Sequence, residues 1–212
     1  MAAARLNPGD FIRTRLPLLP VPGIPEIVLH KAVPASGLGR LAAEDDAFGS
    51  PYWAYYWLGG LALARFVLDR PGFVAGRRVL DLGCGSGLVA IAAAKAGAAQ
   101  VLAADIDRYA VTATRLNAEA NGVAFETVHA DLTEGLVPAV DLILAGDVFY
   151  DPESAARVMP FLERCRAAGV EVLVGDPRRT SLPVARMRAL AEYRFAETDS
   201  GMMRVSEVFA FD

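Results

Sequence analysis

The run Val79-Leu80-Asp81-Leu82-Gly83-Cys84-Gly85-Ser86-Gly87 carries an apolar strand pattern into three glycines spaced GxGxG, with an apolar stretch after them. Glycines at a strand-to-helix junction let the backbone turn tightly and approach a ligand closely. A dinucleotide site would be spaced GxGxxG and would set a pyrophosphate against the helix start, where the carboxylate of Asp81 repels it. Spacing and charge favour a ligand with a cationic amino-acid end, and S-adenosylmethionine is such a ligand. Asp81, Gly83, Cys84, Gly85, Ser86 and Gly87 are therefore expected to bind cofactor. A tight turn without ligand and a nicotinamide-dependent oxidoreductase are the rival readings of the same residues.

About 20 residues further on, Ala104-Asp105-Ile106-Asp107 ends the next apolar run. A carboxylate there can accept hydrogen bonds from both ribose hydroxyls, so Asp105 is assigned to the ribose with Ile106 beside it. Asp107 reads as the N-cap of the following helix. His129-Ala130-Asp131-Leu132 follows a third run, where Asp131 and Leu132 can meet the adenine. His129 has no second catalytic group spaced to orient it and reads as a strand-end histidine.

The fourth run ends in Ala145-Gly146-Asp147-Val148-Phe149-Tyr150-Asp151. Ligands of open α/β sheets bind at the carboxyl ends of strands, so this is the expected reaction site, with Gly146 on its cofactor side. Asp147 and Tyr150 can hold a substrate amine by charge and hydrogen bond while the aromatic ring contacts its methylene stem. Asp151-Pro152 can equally cap the next helix. Five aromatics crowd between Pro51 and Leu58, more than one helix face needs for its core. Trp57 among them either closes over the cofactor or packs in the core. Arg178 and Arg179, after Gly175-Asp176-Pro177, either face the site or are solvated loop charges.

The elements that position these residues follow from periodicity. Strand patterns at Arg78–Leu82, Val101–Ala104, Ala124–His129, Asp141–Ala145 and Val170–Val174 alternate with helical patterns near 87–97, 108–121, 153–168 and 181–191. That order predicts an α/β, Rossmann-like doubly wound parallel sheet. Arg194–Thr198 and Arg204–Phe211 around Ser200-Gly201 predict a closing antiparallel hairpin, for seven strands in all. A helix is expected over Pro51–Leu68. The first fifty residues, with prolines from Pro17 to Pro25 and a short strand at Glu26–Lys31, are read as extended rather than helical. Residues 1–50 are expected to be an N-terminal extension that faces substrate or covers the sheet, and residues 51–212 the catalytic domain.

With 212 residues, 54% of them hydrophobic, the chain can bury one substantial core. Its net charge of −4 argues against binding nucleic acid by neutralising phosphates. Cys84 and Cys165 lack the spacing of a zinc site or a disulfide framework, so no metal is expected and a reducing compartment fits. The longest uncharged apolar run, between Asp81 and Lys95, is too short to span a bilayer, and the start of the chain does not read as a secretory signal. A cytoplasmic protein is expected.

The chain resembles the seven-strand, S-adenosylmethionine-dependent protein lysine methyltransferases, and among them those that modify the electron transfer flavoprotein β subunit. The likeness runs from about Pro8 to the end. It rests on Pro51-Tyr52-Trp53, Trp57-Leu58-Gly59-Gly60, the glycine loop, Asp105-Ile106-Asp107, Gly146-Asp147-Val148-Phe149-Tyr150-Asp151 and Gly175-Asp176-Pro177. The resemblance implies methyl transfer from S-adenosylmethionine to a lysine positioned by Asp147 and Tyr150, cofactor contacts by Trp57, no metal, an electron transfer flavoprotein β subunit as substrate, and the mitochondrial matrix as the location in a eukaryote. A methyltransferase for another acceptor, such as a ribosomal protein or a small amine, would share every cofactor residue, and a non-catalytic cofactor-binding protein would share them too. The Asn-Pro-Pro-Tyr string of nucleic-acid amino-methyltransferases is absent, since Asp147-Val148-Phe149-Tyr150 has neither proline.

Overall fold

The computed structural model describes residues 7–39, 42, 48–196 and 202–212. Seven strands form one sheet: β3 (Arg78–Leu82), β4 (Gln100–Asp105), β5 (Glu126–His129), β6 (Leu142–Gly146), β7 (Glu171–Asp176), β8 (Met187–Ala196) and β9 (Met203–Phe211). Their order is β5-β4-β3-β6-β7-β9-β8, with β3 to β7 parallel and the last two antiparallel. Helices α2 (Leu58–Asp69), α3 (Leu88–Lys95) and α4 (Arg108–Ala120) cover one face, and α5 (Pro152–Ala167) covers the other. Buried on both sides, β3 and β6 can be continuous apolar runs, as Leu142–Ala145 is. Successive side chains alternate between the two cores. Val79 therefore packs with α2 and α3 while Leu80 and Leu82 pack with α5, and Asp81 is left on the α3 side.

Three expectations fail. The first fifty residues are not wholly extended: α1 (Pro8–Arg15) is helical, with Asn7 Oδ1 accepting from the N–H of Gly9 (2.8 Å) and proline in the first turn. Asn-Pro is a helix-start signal, and the helix buries Phe11 and Ile12; it is too short for periodicity to reveal it. The expected helix over Pro51–Leu68 begins only at Leu58. Tyr52–Ala54 is an isolated 3₁₀ turn, and Tyr55 and Trp57 are extended, so the aromatics that looked helically spaced belong to two separate pieces. The helix expected near 181–191 is a 3₁₀ turn at Val184–Arg186 followed by β8. Met, Ala, Leu and Glu in that stretch favour helix intrinsically, but pairing with β9 from Met187↔Phe211 to Ala196↔Met203 overrides them. The hairpin strand foreseen at Arg194–Thr198 is only the end of β8, and Thr198, Ser200 and Gly201 lie outside the described residues.

The proline-rich stretch is a hairpin of β1 (Leu18–Val21) and β2 (Ile24–His30), in which Pro20 sits on a strand paired on one side only. Asn117 in α4 and Asn121 at its C-cap hold it. Asn121 accepts from the N–H of Val28 (3.0 Å) and donates to its carbonyl (2.6 Å). Asn117, fully buried, accepts from the N–H of His30 (2.8 Å) and donates to the carbonyl of Ser86 (2.8 Å), which couples the hairpin to the glycine loop. Among the described residues no helix is long and apolar enough to cross a membrane.

Candidate active site

A cleft of about 950 Å³ opens at the carboxyl ends of β3, β4, β5 and β6. Its floor is the turn from β3 into α3. Gly85 has φ +52°, a left-handed conformation that costs a side-chain-bearing residue energy. Gly87 has φ +81°, and a Cβ there would stand 2.9 Å from Thr114 Cγ2. Gly83, Cys84, Gly85 and Ser86 line the cleft, whereas Gly87 turns its back to it and lies against α4. Thr114 Oγ1 donates to the carbonyl of Gly85 (3.1 Å) and joins Asn117 in holding the loop from behind. Neither residue carried a signal in the sequence, because a polar residue on a helix has no mark that distinguishes a loop support from a solvated side chain.

Two carboxylates face the loop. Asp81 is 2% exposed and its Oδ2 accepts from the N–H of Ala90 in α3 (2.9 Å). Burial pushes its carboxyl up to about 7, with the Ala90 bond opposing and the nearby Asp105 adding to the rise. Asp105 accepts from the N–H of Gly85 (2.9 Å) and from that of Asp107 (2.9 Å), and burial holds it above the ordinary carboxylate range despite those bonds. A ligand offering positive charge near Asp81 and hydroxyl donors near Asp105 would relieve both desolvation costs, so the donor set fits S-adenosylmethionine. Asp107 caps α4 through the N–H of Tyr109 (2.7 Å). Asp131 accepts from the N–H (2.9 Å) and hydroxyl (2.6 Å) of Thr133, which keep it below the usual carboxylate range. Ile106, His129 and Leu132 complete this end of the cleft, and the His129 ring contacts the carbonyl of Ile106 (2.9 Å).

At the other end β6 turns over Asp147, which has φ +58°. Aspartate tolerates that region better than most residues. What holds it there is a close approach of α2 to the sheet. Gly59 and Gly175 touch through their backbones, so that a Cβ on Gly59 would stand 2.1 Å from the carbonyl oxygen of Gly175. A Cβ on Gly146 would stand 3.0 Å from Gly60 Cα. This contact brings the first turn of α2, whose N-cap Trp57 has no side chain bonded to it, against the Asp147 carboxylate. The N–H of Gly60 donates to Asp147 Oδ2 (2.7 Å), so the aspartate serves as the helix cap from another element.

Arg179 approaches the same carboxylate from the loop after β7. Its Nη1 lies 2.6 Å from Asp147 Oδ1 and 3.0 Å from Oδ2 of Asp176, whose side chain is fully buried. Oδ1 of Asp147 is itself buried, and the guanidinium meets it off the line of a well-formed hydrogen bond. Burial raises the Asp147 carboxyl above its ordinary range, and Arg179 and the amides of α2 resist that rise. Arg178 points elsewhere and pairs with Glu207. Of the two arginines read as either site or loop charges, one lies on each side of that choice.

An aromatic rim borders the cleft beside Asp147. Tyr150 is half exposed, with its ring 5.9 Å from Tyr52, which packs edge-on to Trp57 at 5.6 Å. Trp57 lines the cleft but is 43% exposed, and its indole N–H donates to the carbonyl of Tyr52 (3.0 Å). The buried tryptophan is Trp53, stacked on Tyr109 at 5.8 Å. Asp151 caps α5 through the N–H of Ser154 (2.7 Å). Among the described residues no group of three or more His, Cys, Asp or Glu is placed to hold a metal ion.

Known proteins share this architecture. The model of the ribosomal protein L11 methyltransferase (PrmA) family matches residues 66–148. The solved ribosomal protein L11 methylase of Lactobacillus delbrueckii subsp. bulgaricus is 26% identical and superposes with a TM-score of 0.52, over 71% of this chain and 77% of that one. The electron transfer flavoprotein beta subunit lysine methyltransferase of Rattus norvegicus is 38% identical over 196 residues, 88% of this chain and 77% of the relative. That of Xenopus laevis is 43% identical over 197 residues, 90% and 80% of the two chains. The chain therefore belongs to the electron transfer flavoprotein β-subunit lysine methyltransferase family, and it is a methyltransferase whose methyl donor is S-adenosylmethionine.

Proposed function

We propose that this enzyme methylates a lysine of the electron transfer flavoprotein β subunit, and that Asp147 and Tyr150 receive the lysine. The observation that carries the reading is the Asp147 carboxylate, fixed by α2 on the wall of the cleft that holds the glycine loop, with Tyr150 at its mouth. The match to the L11 methyltransferase family model ends at residue 148, before Tyr150 and Arg179. It speaks for the cofactor half of the cleft, whereas the likeness to the lysine methyltransferases spans both halves.

The bound cofactor supplies an electrophilic sulfonium methyl. Asp81 faces its amino-acid end, Asp105 its ribose, and Ile106, Asp131 and Leu132 its adenine, with Gly83, Cys84, Gly85, Ser86 and Gly146 shaping the floor and Trp57 the rim; Gly87 contributes through the turn it permits. The chain's own work is to hold a lysine nitrogen in line with that methyl, which makes the transfer effectively unimolecular. Asp147 draws the ammonium in, and the aromatic rim shelters its methylene stem. Desolvation beside the cofactor's positive charge opposes the pull of Asp147 and lowers the lysine pKa, so the ammonium gives its proton to water at the open cleft and its lone pair is freed. The enzyme works where that substrate is found, the cytoplasm or, in a eukaryote, the mitochondrial matrix. Incubation with radiolabelled S-adenosylmethionine and purified electron transfer flavoprotein should place label on a β-subunit lysine. Label on another protein of a matched extract, with none on the flavoprotein, would move the substrate and keep the chemistry.

The Asp81 carboxyl gives the cofactor reading a pH signature. In the unfolded chain this proton leaves near 3.8, but in the folded, unliganded enzyme it stays until about 7. The folded state thus binds more protons between those values, so Asp81 costs progressively more stability as pH rises through that window and a constant amount above it. A ligand cation beside Asp81 favours the ionised form and reverses the sense for binding. Affinity for S-adenosylhomocysteine should tighten about tenfold from pH 6 to pH 8. Calorimetry in buffers of different ionisation enthalpy should show proton release at pH 6. Asp81→Asn should flatten the profile, and an equally steep profile in that variant would remove Asp81 from the role.

A further inference from the structure

Three charged groups meet at the inner end of the cleft, where the substrate amine is expected, and their bookkeeping is incomplete. Asp147 and Asp176 carry two negative charges and Arg179 one positive charge, with the single nitrogen Nη1 reaching both carboxylates. The side chains of Asp147 and Asp176 are 11% and 0% exposed. A buried carboxylate that shares a cation with another carboxylate is under-compensated. The amides of α2 neutralise Oδ2 of Asp147 but not Oδ1, which has only the off-line guanidinium. Oδ1 is buried with that guanidinium in contact, so nothing from the cleft reaches the oxygen in this arrangement. An arriving ammonium completes the arithmetic, because two cations and two carboxylates form two pairs.

Arg179 has an anchor that survives such an exchange. Its backbone N–H donates to Asp176 Oδ1 (2.6 Å) and its Nη1 to Oδ2 (3.0 Å), a tie between the loop and the end of β7 that does not involve Asp147. There is also space for movement. Arg179 borders a second cavity of about 460 Å³ on the side away from the glycine loop, between Tyr56, Leu61, Pro177 and Phe195.

We propose that Arg179 is a stand-in for the substrate: in the free enzyme its guanidinium occupies the Asp147 oxygen that the lysine ammonium takes, and on binding it is passed wholly to Asp176. The proposal rests on Asp147 being the amine-binding group. Arg179 is then a positioning residue. Without substrate it fills the place beside Asp147, and it sets a threshold that only a cation able to displace it can cross. Solvated neutral side chains do not meet that threshold, which makes Arg179 a determinant of specificity for a charged acceptor.

The test is steady-state methylation of electron transfer flavoprotein by the parent, Arg179→Ala and Arg179→Lys enzymes, with and without guanidinium chloride at concentrations far below those that unfold proteins. Removing a competitor should lower the KM for the flavoprotein about tenfold, the scale of one charge-assisted contact, while kcat changes little. Guanidinium should then compete with the flavoprotein in Arg179→Ala, restoring a parent-like KM, and leave the parent unaffected. Arg179→Lys keeps a cation for Asp176 that is too short and compact to bridge both carboxylates, and its KM should fall as well, by less. If Arg179→Ala does not fold, as judged by melting and by S-adenosylhomocysteine affinity, the lysine variant decides on its KM alone. A KM that is unchanged or raised in the folded variants, or activity that guanidinium restores rather than inhibits, overturns the proposal. Full activity in Asp147→Asn would instead remove the reading on which it rests; an inactive Asp147→Asn leaves the arginine variants to decide the exchange alone.

Discussion

Asp147→Asn is expected to bind S-adenosylhomocysteine within about twofold of the parent and to lose at least about 100-fold in kcat/KM for the flavoprotein, the loss usual for one preorganised electrostatic group. Asparagine is the informative replacement because it leaves the structure intact. It tolerates the φ of +58°, and its amide oxygen can still accept from the N–H of Gly60, which donates to Oδ2 in the parent. What it removes is the charge. Alanine would also unmake the external cap of α2, so an inactive Asp147→Ala would report on folding as well as on chemistry. Parent-level transfer by Asp147→Asn would show that the lysine is held elsewhere. A matching loss of cofactor affinity would make Asp147 a cofactor residue instead.

Gly59→Ala should produce one of the two largest losses of stability among alanine substitutions at the described glycines, Gly175→Ala being the other. The new Cβ meets the carbonyl oxygen of Gly175 at 2.1 Å and Asp147 Oδ2 at 2.8 Å, and the first of these is backbone in the middle of the sheet. The start of α2 has to withdraw, which breaks the bond from Gly60 to Asp147 and frees the aspartate. Overpacking of this kind costs about 3 kcal/mol, a fall of about 6–12 °C in Tm for a domain of this size, and activity should fall with it. Gly60→Ala is the control. Its Cβ meets Asp147 Oδ2 and Val89 only at ordinary contact distances of 3.8 and 3.9 Å, and alanine favours helix, so Tm should hold or rise. Equal behaviour of the two variants in differential scanning calorimetry would show that close approach is not what selects glycine here.

The contrast between those neighbouring glycines shows why part of the site could be read from the sequence and part could not. The glycine loop, Asp81, Asp105 and Asp147 were legible because each sits at a strand end that the apolar runs mark, and strand ends converge in a doubly wound sheet. Asp107 could be placed as a cap because capping is a local relation. Leu58-Gly59-Gly60 stood out only as a mark of resemblance. Its physical reason, a helix start pressed onto Gly146 and Gly175, joins segments far apart in the chain, and no local pattern encodes such a contact. Arg179 was ambiguous for the same reason, and Thr114 and Asn117 were invisible. The failed helix at 181–191 is the reverse case, a strong local preference overruled by a strand partner that follows later in the chain.

That late partner has a consequence for how the molecule is made. β8 follows β7 in the chain but does not lie beside it; β9 fills the slot between them. During synthesis β7 therefore emerges with an unpaired edge, buried and apolar through Val172–Gly175 in the finished sheet, and it must wait for the ribosome to deliver Met203–Phe211. Exposed edges of this kind invite pairing with other chains. The nascent protein is most vulnerable to aggregation in that interval, and it is then that a chaperone would have the most to do.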